Sequence, residues 1–231
     1  MGNFIELKAA DGAAFAAYVA QPPARPRGAV VVLQEIFGVN AHIREVADGY
    51  AADGYLAVAP ATFDRVQRQV ELGYTADDIQ AGAALKAAVE ALPAPGVLQD
   101  VQAAINHAAQ ASDGGKVGIV GYCYGGLLSW RAACELQGLS AAAPYYGGGT
   151  TTIAAEVARK PRVPVLAHYG ERDKHIPVDT VHAFSQAHPE VTVHVYEADH
   201  GFNCDHRGSY NADAAKLALE RTLAFFAQHV G

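Results

Sequence analysis

Apolar and polar residues change period repeatedly along this chain, and each change marks a strand or a helix. Residues 4–7 and 13–20 read as two short strands around the Asp11-Gly12 turn. Residues 28–33, Gly-Ala-Val-Val-Val-Leu, form the continuous apolar run of a strand buried on both faces. A helical period runs from Asn40 to about Ala52, where Gly54 stops it, and residues 55–59 give a strand closed by Pro60. Residues 61–73 show no clear period and predict a long loop, a kind of segment that often carries function. Thr75 with Asp78 has the form of a capping box, opening a helix that ends at Pro93. A further helix is predicted over 97–111 and a buried strand over 116–121.

The alternation continues with a helix over 125–136, strands over 140–144 and 163–169, a helix over 179–186 and a strand over 191–196. Asn211 caps a last helix, in which Leu219, Leu223, Phe226 and Val230 recur at helical spacing. Strands alternating with helices over this length imply an α/β fold, with a mostly parallel central sheet and helices on both faces. No repeat, linker or charge run divides the chain, so residues 1–231 read as a single domain.

Composition narrows the function classes. A chain of 231 residues with 51% hydrophobic residues can build a full core without disulfides or metals. The net charge of −7 argues against a nucleic-acid binder, which needs a basic surface. No apolar run is long enough to span a bilayer. Residues 1–8 lack the basic-then-apolar order of a signal peptide, and three cysteines do not make a disulfide framework. The expected setting is cytoplasmic and reducing, with the chain a monomer or weak homodimer.

The chemistry concentrates at Gly121-Tyr122-Cys123-Tyr124-Gly125, between a predicted strand and a predicted helix. Gly-x-nucleophile-x-Gly in that context is the elbow of α/β-hydrolases, a tight turn that lifts the nucleophile into the site. Here the nucleophile is cysteine. A thiol at a helix N-terminus feels partial positive charge, which favours thiolate. The alternative is a buried structural cysteine.

In this fold an acid and then a histidine follow the nucleophile. Asp173 comes just after the strand 163–169, on the face where α/β sheets bind ligands, and Glu171 and Asp179 are weaker candidates. His200 follows the next strand and is placed to be the general base. Most of the ten histidines read as surface or satisfied side chains; order and strand-end position single out His200.

With these residues identified, the chain resembles the dienelactone hydrolase (carboxymethylenebutenolidase) family over nearly its whole length. The resemblance rests on Gln34-Glu35-Ile36-Phe37-Gly38, the elbow continued by Gly126, Tyr145-Tyr146-Gly147, Gly-Glu-Arg-Asp173 and Asp-His200-Gly-Phe. It implies hydrolysis of a small ester or enol-lactone through an acyl-cysteine, with Cys123, Asp173 and His200 as triad. It implies further that Glu35 contacts the resting thiol, and that the N–H groups of Ile36 and Tyr124 form the oxyanion hole. Phe37, Tyr145 and Arg207 are the expected substrate contacts. The reaction so implied needs no cofactor and no metal.

The chain departs from the family in its arginines. Members acting on dienelactone grip the substrate carboxylate with one arginine before the elbow and one soon after the catalytic histidine. No arginine lies between Arg68 and Arg131, the region near Ala81 is small or neutral, and Arg207 comes later than the pattern places it. Arg65, Arg68 and Arg207 are the candidates to replace them, and a broader esterase activity is at least as well supported as dienelactone hydrolysis. Three other functions stay open. His200, Cys204, Asp205 and His206 are spaced to hold zinc; the scaffold could bind a ligand without catalysis; and an acyl-cysteine could pass to another acceptor, as in an acyltransferase or thioesterase.

Overall fold

The computed structural model describes residues 2–231. Its centre is one eight-stranded sheet, ordered β1 (Asn3–Lys8), β2 (Ala14–Ala20), β4 (Leu56–Pro60), β3 (Ala29–Leu33), β5 (Val117–Tyr122), β6 (Leu139–Tyr145), β7 (Val165–Gly170), β8 (Val191–Tyr196). β1 and β2 pair antiparallel, as does β2 with β4, and every pairing from β4 across to β8 is parallel. The apolar runs of β3, β4, β5 and β7 are buried throughout, because helices cover both faces.

The helices are α1 (Ala41–Ala52), α2 (Ala76–Glu90), α3 (Leu98–Ala111), α4 (Tyr124–Glu135), α5 (Ala154–Val157), α6 (Val178–Ala187) and α7 (Ala212–His229). Phe226 of α7 meets Tyr50 of α1 on one face, with ring centroids 6.2 Å apart. On the other, α3 touches α4, and Trp130 of α4 meets Phe184 of α6 at 5.2 Å. The capping box forms as expected: the Thr75 side chain accepts from the Asp78 N–H and the Asp78 carboxylate from the Thr75 N–H. Asn40 and Asn211 cap α1 and α7.

The chain passes from β3 through α1 to β4 on one side of β3, then returns to place β5 on its other side. This reversal of winding opens a crevice at the carboxyl ends of β3 and β5, where sheets of this kind bind ligands.

Two expectations need correction, and one element was not anticipated. The buried stripe of α7 is Ala214, Ala215, Ala218, Thr222 and Phe226, whereas Leu219 is 39% exposed. Small residues let α7 approach the sheet, and Thr222 is drawn inward by a buried hydrogen bond with Tyr145 (2.7 Å) and one with His168 (3.0 Å). Residues 61–73 do not line the crevice. They are tied down as support, with Arg65 on Asp100 and Phe63 stacked on Tyr124. The short α5 had no visible period in the sequence; it carries Glu156, a buried carboxylate bound by Arg131 and Arg159.

Candidate active site

Cys123 stands between β5 and α4 with φ 55° and ψ −110°, a left-handed conformation that a side-chain-bearing residue adopts only under strain. The turn is held by the Cys123 N–H donating to the Tyr145 carbonyl (3.1 Å). The flanking glycines are required by packing. A Cβ on Gly121 would run into the Gly125 carbonyl, and one on Gly125 into the Leu33 carbonyl. Strand β5 and helix α4 can therefore sit close together, and the thiol is left half-buried at the crevice. Cys134 and Cys204 are buried, and burial pushes each of their thiols up to about 12.

His200 follows β8, and its Nδ1 lies 2.6 Å from Asp173 Oδ2. The second Asp173 oxygen, Oδ1, accepts the N–H groups of His175 (2.8 Å) and Ile176 (3.2 Å), so the carboxylate is fixed at both oxygens. Burial alone would lower the His200 pKa, but the negative charge and hydrogen bonding of Cys123 and Asp173 outweigh it and raise it from 6.5 to about 10. The imidazole is thereby disposed to hold a proton between a sulfur and a carboxylate.

Glu35 is 1% exposed, and its Oε1 accepts from Arg207 Nη1 at 2.9 Å. Among the described residues no hydrogen bond joins it to Cys123, and Arg207 is its one hydrogen-bond partner. Arg207 is brought to the site although it follows His200 by seven residues. Its guanidinium packs on Gly201, where a Cβ would collide with it, and lies 5.6 Å from the Phe37 ring and 5.9 Å from that of Tyr74. Arg65 and Arg68 are engaged elsewhere, with Asp100 and Asp11 and with Glu6.

A cavity of about 530 Å³ brings these groups together, a size suited to a small ligand. Its lining includes Cys123, His200, Ile36, Phe37 and Arg207, all singled out by sequence. Tyr145 is corrected to a core residue. It is fully buried, its hydroxyl bonded to Thr222 and its ring 4.3 Å from that of His168, and it serves the site through its carbonyl. Tyr124 opens α4, so its N–H is one that a helix leaves without an internal acceptor.

The cavity's other wall is made by Ile79, Ala83, Lys86, Ala87 and Glu90 of α2 and by His175; sequence reasoning looked near Ala81 for an arginine and did not name these residues. A signal existed: apolar residues are spread around α2 instead of along one stripe. The proposed zinc group also comes apart. His200 turns to Asp173, while Asp205 and His206 gather with His42 and Glu45, and Cys204 with Glu35 and His42.

The model of the dienelactone hydrolase family matches residues 15–230. This chain belongs to the dienelactone hydrolase family. It is 36% identical over 243 residues to the carboxymethylenebutenolidase of Pseudomonas putida, covering 96% of this chain and 95% of that one. An equal match, 36% over 243 residues, is found with the carboxymethylenebutenolidase of Pseudomonas knackmussii. Among solved structures, the Klebsiella pneumoniae subsp. pneumoniae protein named "Putative Dienelactone Hydrolase" superposes with a TM-score of 0.84 at 33% identity, over 99% of this chain and 100% of that one. The α/β-hydrolase fold and a hydrolase activity on ester or lactone bonds follow from this membership. No helix among the described residues is long and apolar enough to cross a membrane.

Proposed function

We propose that residues 1–231 act as one α/β-hydrolase domain that cleaves small esters or enol-lactones through an acyl-cysteine on Cys123. The observation that carries this reading is the convergence, in one cavity, of a strained Cys123 and a His200 bonded to Asp173. The Cys123 thiolate adds to the substrate carbonyl carbon, and the developing oxyanion is held by the N–H groups of Ile36 and Tyr124. As the intermediate collapses the C–O bond breaks, and the leaving oxygen takes the proton from the His200 imidazolium. In a lactone that oxygen stays tethered to the acyl group. Water then gives a proton to His200 as its oxygen attacks the thioester, and the thiolate leaves with the acid released.

Asp173 holds the imidazole in position throughout. Glu35 is the fourth participant, taking the thiol's proton when the thiol turns from His200 toward it, with Arg207 balancing its charge. The largely apolar wall of α2 favours uncharged parts of a substrate. Lys86, whose ammonium lies 5.6 Å from the Tyr124 ring centroid, supplies a cation for a substrate carboxylate.

The test is Cys123→Ala with an activated aryl ester. Loss of hydrolysis by at least about a thousandfold with an unchanged circular dichroism spectrum is expected. Rapid quench followed by peptide mapping should find the acyl group on Cys123 of the native enzyme. Retained activity in the variant, or an adduct on Cys134 or Cys204, overturns the mechanism.

A further inference from the structure

Outside the cavity, His42 and Glu45 project from one face of α1, three residues apart, toward Asp205 and His206 on the loop after His200. Each of the four offers a ligand atom, and all four atoms lie within 4.8 Å of one another. His42 Nδ1 is 3.3 Å from Asp205 Oδ1, His206 Nε2 is 2.8 Å from Glu45 Oε2, and His206 Nε2 is 3.8 Å from Asp205 Oδ1. Donors bound tetrahedrally to zinc at about 2.0–2.2 Å stand about 3.3–3.6 Å apart. The four are thus near that spacing already, and Glu45 and Asp205, both exposed, are free to adjust.

A second observation comes from the interior. His42 is 3% exposed, and its Nε2 is buried without a hydrogen-bond partner. Glu35 Oε2 is buried and unpartnered as well, and Glu35, His42 and Cys204 present atoms within 4.8 Å of one another. A cation on Nδ1 would keep the His42 proton on Nε2, directing it at the side where Glu35 waits for a donor. Metal-bound histidines characteristically give their other N–H to a carboxylate in this way.

We propose that His42, Glu45, Asp205 and His206 form a binding site for a zinc-class divalent cation, which clamps α1 to the loop carrying His200 and Arg207. Two imidazoles with two carboxylates suit zinc better than calcium or magnesium, which prefer all-oxygen sets. A surface cavity of about 390 Å³, lined by His42, Glu45 and Asp205, gives the ion its way in. The four ligands lie outside the cavity that holds Cys123, so cation binding does not require the proposed hydrolysis, although Glu35 adjoins both.

The experiment titrates the EDTA-stripped, desalted full chain with zinc chloride against a chromophoric chelator, and repeats it with cobalt(II). The native chain should bind one zinc, and Glu45→Gln and His206→Ala should each weaken binding by about tenfold or more, while Cys123→Ala binds as native. Both weakening substitutions are at solvent-facing side chains, and matching melting curves in EDTA would verify that the variants fold. The cobalt spectrum should show tetrahedral d–d bands without thiolate charge transfer. No stoichiometric binding, equal affinity in all variants, or loss in Cys123→Ala with a thiolate band each overturns the site. Ester hydrolysis measured in EDTA tests the catalytic reading separately.

Discussion

Two arginine–carboxylate pairs of this enzyme are buried to nearly the same extent, and they are completed differently. Arg65 grips Asp100 with two 2.7 Å hydrogen bonds, from Nε and Nη2, and reaches Asp11 with Nη1 and a second bond from Nη2. Every oxygen of Asp100 is used, and the pair locks residues 61–73 onto the start of α3. Arg207 gives Glu35 a single bond, leaves Glu35 Oε2 without a partner, and opens on the cavity. A saturated pair stabilises the scaffold. A half-saturated one beside a cavity keeps hydrogen-bonding capacity for a ligand or a proton, at some cost in stability.

The largest effect is expected from Arg65→Met. Asp100 would be left buried and uncompensated, so the variant should lose about 3–5 kcal/mol in urea unfolding while each folded molecule hydrolyses esters as before. An unaltered urea midpoint would remove the structural role assigned to Arg65.

A second effect separates the site from the scaffold by pH. His200 titrates near 6.5 in the unfolded chain and near 10 in the folded one. Between those values the folded enzyme holds a proton that the unfolded chain has released. The resulting stabilisation, on the order of a few kcal/mol, is complete below pH 6.5 and is lost as pH rises through 10. Cys123→Ala removes one source of the upward shift, so its stability should fall less over that range. Parallel pH profiles for the two proteins would show that the sulfur does not hold the proton on His200.

The smallest stability change is expected from Arg207→Met. Water from the cavity can replace part of the lost contact to Glu35, so the cost should be about 1–2 kcal/mol, accompanied by a fall in kcat/KM of about ten- to a hundredfold. A stability loss as large as that of Arg65→Met, with activity intact, would make the two pairs equivalent and end the distinction.

Much of the fold was legible because it depends on local pattern. The apolar runs of β3, β4 and β5, the Thr75–Asp78 box and the Asn211 cap each need only neighbouring residues, and each formed where expected. The elbow was legible for the same reason, since close packing of a strand and a helix demands glycine on either side of Cys123. Helix α7 was misread because leucines outscore alanine and threonine in any apolar pattern. Its neighbours ask for small residues and for a hydroxyl at position 222, which joins Tyr145 and His168 in a satisfied buried network. Burial holds His168 well below its ordinary pKa, making it a neutral core histidine.

By itself the sequence determined the α/β alternation, the strained turn bearing Cys123, and the order in which Asp173 and His200 follow it. These are properties of chain segments and of their succession. Tertiary structure decided which groups meet across segments: Arg207 with Glu35, α2 as the far wall of the cavity, and His42 with a loop more than 160 residues away. Such meetings depend on how strands are ordered and on where loops fold back. Local periodicity carries no record of either, because long-range distances are set by the packing of the whole sheet.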